Sequence, residues 1–300
     1  MSTVAVVGTG LMAPGIAAAC ASAGREVTVV GRSPERAAAA AARAAELTGG
    51  VVRSAAIEPE AFSGAGLVVE TILEDATAKR ALLARIEGWL EPDAIVATNT
   101  SSLPIGTVAG ALERPERLAG LHFLNPAHLT AVVEVVAGPA TSEPTLAALA
   151  ELVRRMGKRP LVVRRELPGF VWNRLQFAIL RECLHLLEQG VTDVASIDAA
   201  VSEGLAPRWL AAGPLATADL GGIGTFAIVS RELFPRLAAT GAVSDELTRR
   251  IEEGGFYRWT AEARRELEAI RADALAFQRE LAARRAGAMP PASDAAEGHP

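Results

Sequence analysis

The chain of 300 residues is half hydrophobic by composition, which supplies one or two ordinary cores and excludes an intrinsically disordered protein. Its formal net charge of −5 offers no basic face to a phosphate polymer, so we expect no nucleic-acid partner. The two cysteines both lie in apolar helical patterns, which favours a reducing, cytoplasmic location without a disulfide framework.

The run from Val4 to Gly24 carries no charged residue and is long enough to raise the question of a membrane span or a signal peptide. Gly8, Gly10 and Pro14 interrupt it, and no basic segment precedes it. We therefore expect neither a membrane partner nor export.

Short β-branched runs alternate with helical stretches from Thr3 to about Arg164. The predicted strands are residues 4–7, 27–30, 67–71, 95–98, 118–123, 132–136 and 161–163. Between them, helices are predicted at residues 36–47, 79–90 and 146–156. This alternation predicts an α/β fold, a Rossmann-type doubly wound and largely parallel sheet covered by helices on both faces.

After Leu167 the pattern becomes helical throughout, with helices predicted at residues 170–189, 194–203, 225–237 and 259–285. Gly190 and Gly204 are the predicted stops of the first two. The sequence therefore predicts a dinucleotide-binding domain over residues 1–166, an all-α substrate and dimerisation domain over 167–285, and a disordered tail over 286–300.

A glycine turn follows the first predicted strand and opens a helix, in the order that a dinucleotide-binding unit requires. Gly8 permits the tight turn, and Gly10 lets the backbone approach a pyrophosphate at the helix N-terminus, where free N–H groups favour anions. Ala13 stands where a third glycine is usual, and Pro14 suits the first helical turn. The motif is a weak signal alone, but its place on the first strand strengthens it.

The residue after the second strand normally distinguishes the two nicotinamide dinucleotides. An NAD site has Asp or Glu there, whereas this chain has Arg32 and Ser33, followed by Arg36. These side chains can hold a 2′-phosphate, so the sequence favours NADP(H), with NAD(H) as the alternative. In that alternative Arg32 stacks on the adenine and either cofactor is accepted.

Four further segments occur in a recognisable order: residues 99–103, 122–126, 133–136 and 168–174. Together with the glycine turn, they resemble the L-3-hydroxyacyl-CoA dehydrogenase family over most of residues 3–225. The second half is most similar to the L-gulonate 3-dehydrogenase and lambda-crystallin branch, on residues 169–179, 202–205 and 213–215. The resemblance implies an NAD(P)-dependent oxidoreductase that transfers hydride between the nicotinamide and a 3-hydroxy or 3-keto acyl group.

The chemistry explains why the polar residues of these segments meet. Oxidation of a secondary alcohol needs a base for the hydroxyl proton, and His122 is the candidate. The resemblance assigns Glu134 to the other imidazole nitrogen, where a carboxylate fixes the tautomer and stabilises the imidazolium. Ser101 and Asn173 can donate hydrogen bonds to the reacting oxygen.

The resemblance also implies that Glu74, Lys79 and Asn125 lie near the nicotinamide and its ribose. The predicted cofactor-binding residues are Gly8, Gly10, Leu11, Met12, Arg32, Ser33, Arg36, Thr71, Glu74, Lys79, Asn99 and Asn125. No metal is expected. Each catalytic candidate also has a purely structural alternative. His122 can be a hydrogen-bonded core residue, Glu134 a charge at the edge of the sheet, and Asn173 a helix cap.

The chain departs from the family where coenzyme A enzymes carry a long, lysine-bearing helical arm. Here residues 33–65 fill that interval and contain no lysine. A free 3-hydroxy acid, a carrier-protein thioester and a thioester held by its acyl end therefore stay open as substrates. The resemblance implies a homodimer that associates through the helical domain. The alternative to an enzyme is a catalytically silent, crystallin-like protein on the same fold.

Overall fold

The computed structural model describes residues 2–286 and divides them into two compact units. The N-terminal unit ends at Leu175, and the C-terminal unit begins at Gln176. The predicted domain boundary at residue 166 lies between the last strand and the helix that leads into the C-terminal unit. Residues 287–300 of the predicted tail lie outside the described residues.

One eight-stranded sheet forms the centre of the N-terminal unit, with the order β3-β2-β1-β4-β5-β6-β7-β8. Its strands are β1 (Thr3–Val7), β2 (Glu26–Gly31), β3 (Arg53–Ala56), β4 (Ala65–Glu70), β5 (Ile95–Thr98), β6 (Leu118–His122), β7 (Val132–Val136) and β8 (Arg159–Val163). All neighbouring pairs are parallel except β6 and β7, which are antiparallel. The predicted doubly wound sheet with a helical second part is confirmed.

Alternate residues of the central strands enter two separate cores. Val4 and Val6 pack into one core, while Ala5 and Val7 pack into the other. Because both faces of the sheet are covered, the strands are apolar at nearly every position. The short edge strand β3 was not predicted, because it is only partly buried and its sequence lacks a β-branched run.

Five helices surround this sheet: α1 (Ala13–Ser22), α2 (Pro34–Thr48), α3 (Ala76–Ile86), α4 (Ile105–Ala109) and α5 (Glu143–Arg155). Ser33, Asp75 and Ser142 accept hydrogen bonds from the backbone at the first turns of α2, α3 and α5. These local caps start α3 and α5 three residues earlier than their apolar periodicity predicts.

Helix α6 (Trp172–Glu188) leads into the C-terminal unit, which contains α7 (Val194–Ala199), α8 (Ala206–Leu220), α9 (Ile223–Leu233), α10 (Asp245–Glu253) and α11 (Ala261–Ala286). The predicted stop at Gly204 is wrong, because a π-helical segment, Ala200–Leu205, carries the helix through this glycine. The helix α10, which Ser244 and Gly254 cap, was not predicted. Within the described residues, no single helix meets the length and hydropathy of a membrane span. The bent pair Val194–Leu220 and Ile223–Arg236 meets them together, by length and composition only.

Candidate active site

The glycine turn between β1 and α1 has the geometry of a phosphate cradle. Gly8 has a φ of 136°, and a Cβ on it would lie 2.6 Å from the carbonyl oxygen of Thr71. Gly10, in contrast, has open space where a Cβ would stand. The N–H groups of Leu11 and Met12 precede the first helical turn, where they have no partner within the helix. The turn therefore fits the diphosphate of a dinucleotide.

The two glycines of this turn are expected to respond differently to alanine. Gly8→Ala should lower the free energy of unfolding by about 1–3 kcal/mol, because the new methyl group meets backbone at a φ that alanine rarely adopts. Gly10→Ala should leave the free energy of unfolding within about 0.5 kcal/mol of the parent value. It should raise the Kd for the dinucleotide, because the new methyl group fills space that the fold leaves open. Denaturant unfolding and fluorescence titration measure the two effects, and an equally destabilised Gly10 variant would contradict this assignment.

The polar residues after β2 are arranged by the start of α2. The Ser33 hydroxyl accepts the Arg36 N–H at 3.2 Å and donates to the Glu35 carboxylate at 2.7 Å. The hydrogen bond that Ser33 donates to Glu35, together with a backbone hydrogen bond, holds the pKa of the Glu35 carboxyl below its usual range. Arg32 and Arg36 are exposed. The Ser33 hydroxyl is thus engaged by the helix cap, and a carboxylate lies beside it that the sequence-based prediction did not consider.

The sheet register brings His122 and Glu134 together. They are directly paired residues of the antiparallel strands β6 and β7, so their side chains leave the same face. The imidazole Nδ1 lies 2.6 Å from Oε2 of Glu134, and both side chains are buried. Because an ionised carboxylate only accepts hydrogen bonds, it holds a ring proton on Nδ1, and Nε2 is then the acceptor of the neutral imidazole.

Two more predicted residues reach this pair. Ser101 follows β5, and its Oγ lies 3.1 Å from Nε2 of His122. Asn173, in the first turn of α6, donates through Nδ2 to the backbone oxygen of Ser101 at 3.1 Å. All four predicted catalytic residues therefore meet within the N-terminal unit, and the serine lies on the free nitrogen of the imidazole.

Glu134 also fixes the segment that begins α6. Its Oε1 accepts the N–H groups of Val171 and Trp172 at 2.8 and 3.0 Å. The preceding residue, Phe170, has a φ of 49°, and its ring packs edge-to-face with the imidazole of His122, with 5.5 Å between the ring centres. A bulky residue in the left-handed region indicates that the surrounding contacts determine this conformation. The same carboxylate thus orients the imidazole and anchors the residues that cover it.

The predicted cofactor-binding residues after β4, β5 and β6 differ in their exposure and in their contacts. Asn99 accepts the Phe123 N–H through Oδ1 at 2.9 Å, and Asn125 is exposed at the bend after β6. The backbone of Thr71 packs against Gly8. Glu74 lies half-exposed beside the Ser101 loop. Lys79 is fully buried, and its ammonium group binds Glu70 and lies 3.6 Å from the Glu74 carboxylate.

Sequence reasoning missed Glu70 and Phe170. The signal for Glu70 was a carboxylate at the end of an otherwise apolar strand, and for Phe170 the preceding Pro168-Gly169 turn. Among residues 2–286, no three His, Cys, Asp or Glu side chains are grouped to hold a metal ion.

Comparisons with known proteins agree with this arrangement over nearly the whole chain. The family model described as "3-hydroxyacyl-CoA dehydrogenase, NAD binding domain" matches residues 3–167, and "3-hydroxyacyl-CoA dehydrogenase, C-terminal domain" matches residues 169–262. A 3-hydroxybutyryl-CoA dehydrogenase of Bradyrhizobium diazoefficiens is 34% identical, over 78% of this chain and 84% of its own.

A second relative is similar over almost its full length. The 5-formyl-3-hydroxy-2-methylpyridine 4-carboxylate 5-dehydrogenase of Mesorhizobium japonicum is 33% identical over 93% of this chain and 97% of its own. A crystal structure of an enzyme with this activity, described as an NAD+ dependent dismutase, has a TM-score of 0.89 and 32% identity, covering 94% of this chain and 98% of its own. The resemblance to the gulonate branch stays a prediction.

These matches cover both parts of the chain, and the N-terminal match is to a domain that binds a nicotinamide dinucleotide. The residues that the matches span include the glycine turn and the four side chains gathered around His122. The chain therefore belongs to the 3-hydroxyacyl-CoA dehydrogenase family and is an NAD(P)-dependent oxidoreductase acting on a 3-hydroxy or 3-keto acyl substrate.

Proposed function

We propose that Ser101, His122, Glu134 and Asn173 are the catalytic residues of this dehydrogenase. The observation that carries the proposal is the line of contacts from Ser101 Oγ through the two imidazole nitrogens to the Glu134 carboxylate. The nicotinamide, when bound, accepts or supplies the hydride. The residues of the chain move the proton and hold the reacting oxygen.

In this proposal each side chain has a separate task. Nε2 of His122 takes the hydroxyl proton of the substrate during oxidation and returns it during reduction. Glu134 keeps the other proton on Nδ1 and stabilises the imidazolium that forms. Ser101 donates to the reacting oxygen, and Asn173 holds the backbone of Ser101 in place. Because the imidazole and carboxylate are buried, their interaction is stronger than it would be in water.

The substrate that we propose is a small free acid rather than a coenzyme A thioester. The only lysines, Lys79 and Lys158, are both buried. Lys158 donates to the carbonyl oxygens of His128 and Thr130, so neither ammonium is presented to a nucleotide phosphate. Between β2 and β4, every residue is described, and α2, β3 and one turn at Pro59–Phe62 fill the interval. A long arm of paired helices has no place there.

The similarity to the pyridine carboxylate dehydrogenase supports the same substrate class, since that relative is named for a free aromatic acid. A panel of acetoacetate, acetoacetyl-CoA and 5-formyl-3-hydroxy-2-methylpyridine 4-carboxylate tests the proposal. We expect kcat/KM for one of the free acids to exceed that for the thioester by at least about tenfold. A preference for acetoacetyl-CoA would overturn the free-acid assignment and leave the catalytic residues unaffected.

For the cofactor, we propose NAD(H), although the residues after β2 favour NADP(H) when only the sequence is considered. The adenosine ribose of a dinucleotide is held at the end of the second strand, where the Glu35 carboxylate lies on the Ser33 hydroxyl. A 2′-phosphate there would meet a like charge, and Ser33 is engaged by the helix cap. The relative described as NAD+ dependent supports the same choice.

We predict that kcat/KM for NAD+ is at least about tenfold higher than for NADP+. Glu35→Gln should narrow this ratio, because it removes the charge that repels a 2′-phosphate. Glu46→Gln, an exposed residue of the same helix paired with Arg43, is the matched control and should leave the ratio unchanged. Steady-state kinetics with both dinucleotides measure the ratio, and a higher value for NADP+ in the parent protein would contradict the prediction.

We further propose that the protein is a homodimer that associates through its C-terminal unit. Large apolar side chains are exposed along α8 and α9: Leu215, Leu220, Ile223, Phe226, Ile228, Val229 and Leu233. Large apolar side chains exposed in such number on two consecutive helices favour an association site. Light scattering after size exclusion should give twice the mass of one chain, and Ile228→Asp should reduce it. A monomeric parent at micromolar concentration would contradict the dimer.

A further inference from the structure

The helix α4, which follows the loop that carries Ser101, begins without a side-chain cap of its own. Pro104 stands at its N-cap and offers no acceptor to the N–H groups of the first turn, which have no partner within a helix. The Glu166 carboxylate takes this place: Oε2 accepts the Ile105 N–H, and Oε1 lies 3.4 Å from the Gly106 nitrogen. The peptide dipoles at a helix start favour a carboxylate there. A residue distant in sequence therefore fixes the end of the Ser101 loop.

The contact between Glu166 and α4 is closely packed. A Cβ on Gly106 would lie 3.0 Å from Cδ of Pro139 and 3.4 Å from Oε1 of Glu166. A Cβ on Gly138, after β7, would lie 2.7 Å from Cγ2 of Ile105. The glycines thus let the start of α4 approach both the carboxylate and the end of β7. Packing as well as hydrogen bonding therefore defines how far Glu166 lies from α4.

Glu166 belongs to the linker, residues 164–171, which connects β8 to α6. The linker leaves the sheet after Val163, the last residue of β8. It reaches the catalytic residues at Val171, whose N–H donates to Glu134 at 2.8 Å. Glu166 holds the linker between these two points.

The linker and the Ser101 loop are joined a second time just after the linker ends. Asn173 donates through Nδ2 to the Ser101 carbonyl oxygen at 3.1 Å, while Glu166 accepts the Ile105 N–H farther along the same loop. The two joins close a ring of backbone and hydrogen bonds within the N-terminal unit. The Ser101 Oγ lies 3.1 Å from Nε2 of His122. A change of spacing at Glu166 would therefore displace the hydroxyl group that meets the imidazole.

We propose that Glu166 is a positioning residue, which acts on the reaction by setting the spacing between the linker and the loop that carries Ser101. This inference rests on the proposed role of Ser101. It differs from a helix cap that only stabilises the fold, because such a cap would work equally well with any carboxylate that reaches α4.

The experiment compares Glu166→Asp with Glu166→Ala in the full-length protein. Aspartate keeps the charge that favours the helix start, but its carboxylate lies one carbon closer to the backbone. The linker must then shift toward α4 or lose the bond to Ile105. Alanine removes the acceptor altogether. The readouts are kcat, KM, the Kd for the dinucleotide from tryptophan fluorescence, and the temperature of unfolding.

Glu87→Asp is the matched control. The Glu87 carboxylate also accepts two successive backbone N–H groups, those of Glu113 and Arg114, at 2.8 and 3.2 Å. These residues precede β6, whose other end carries His122. The same shortening there should leave the parent kcat unchanged, whatever it does to the temperature of unfolding.

We expect Glu166→Ala to lower kcat by about tenfold to a hundredfold, as misplacement of a catalytic group does, and Glu166→Asp by at least about fivefold. The Kd for the dinucleotide should stay within about twofold of the parent in both, because the phosphate cradle lies on β1 and α1. In a Ser101→Ala background each change should cost less than about twofold, because the hydroxyl group that Glu166 positions is gone.

The parent kcat in Glu166→Asp would overturn the proposal, and this variant decides alone if Glu166→Ala does not fold. Losses that multiply in the Ser101→Ala background, or an equal loss in Glu87→Asp, would overturn it too. If Ser101→Ala alone keeps the parent kcat, the role of Ser101 is wrong as well. If it lowers kcat while the Glu166 variants do not, this inference alone fails.

Discussion

Replacement of His122 by asparagine is expected to lower kcat by about 10²–10⁴-fold, the range that general acid–base catalysis contributes. Asparagine can still donate to Glu134, so the buried carboxylate keeps a partner, but it cannot take a proton at neutral pH. The Kd for the dinucleotide should stay within about twofold of the parent, because the imidazole is built on β6 and the phosphate cradle on β1 and α1.

Steady-state kinetics and a fluorescence titration of the dinucleotide separate the two quantities. His185→Asn, in α6 within the C-terminal unit, is the matched control and should retain the parent kcat. A His122 variant with turnover within about threefold of the parent would remove the imidazole from the reaction. The proposed base would then have to be sought elsewhere.

The second large effect is expected for Glu134→Gln, which keeps the shape of the side chain and removes its charge. The new amide can accept the N–H groups of Val171 and Trp172 through its oxygen, which leaves its NH₂ group facing Nδ1 of His122. An NH₂ group donates, so the ring proton has to move to Nε2, where it points toward Ser101. The nitrogen that should accept the substrate proton is then blocked, and kcat should fall by about 10²–10⁴-fold.

The same variant should change stability far less than activity. Its shape is unchanged and two backbone donors keep their acceptor, so we expect a loss of about 1 kcal/mol in the free energy of unfolding. Glu134→Ala, which leaves the N–H groups of Val171 and Trp172 without this acceptor, should lose more. Denaturant unfolding of both variants beside their kcat values measures the difference. Equal kcat values for Glu134→Gln and the parent would contradict the assignment of the ring proton to Nδ1.

Much of this protein follows from local sequence patterns. The β-branched runs determine the central strands, because strands covered on both faces need apolar residues at successive positions. The glycine turn is equally local: Gly8 adopts a φ that other residues avoid, and its helix starts where Pro14 permits it. The four residues that we propose as catalytic stand in motifs at strand ends and at the start of a helix, and it is the family resemblance of these motifs that singled them out.

The remaining features depend on pairings between distant residues. The antiparallel register of β6 and β7 sets His122 opposite Glu134, and no residue near either one in sequence encodes that alignment. The burial of Lys79 against Glu70 comes from the packing of α3 against the ends of β4 and β5. The unusual backbone of Phe170 is maintained by contacts with the imidazole and by the neighbouring bonds to Glu134.

The end of β2 illustrates the limit of local reasoning. The sequence there favours a 2′-phosphate site at Arg32, Ser33 and Arg36. The structure adds that the Ser33 hydroxyl caps α2 and holds Glu35 beside it, while both arginines are exposed. A helix cap and a ligand compete for the same polar atoms, and only the folded backbone decides between them. Composition and periodicity thus determined the layers of this protein, and the family resemblance of its motifs pointed to the side chains that we propose as catalytic. Strand register and packing decided which atoms of those side chains meet, because hydrogen bonds act over distances that only the tertiary structure establishes.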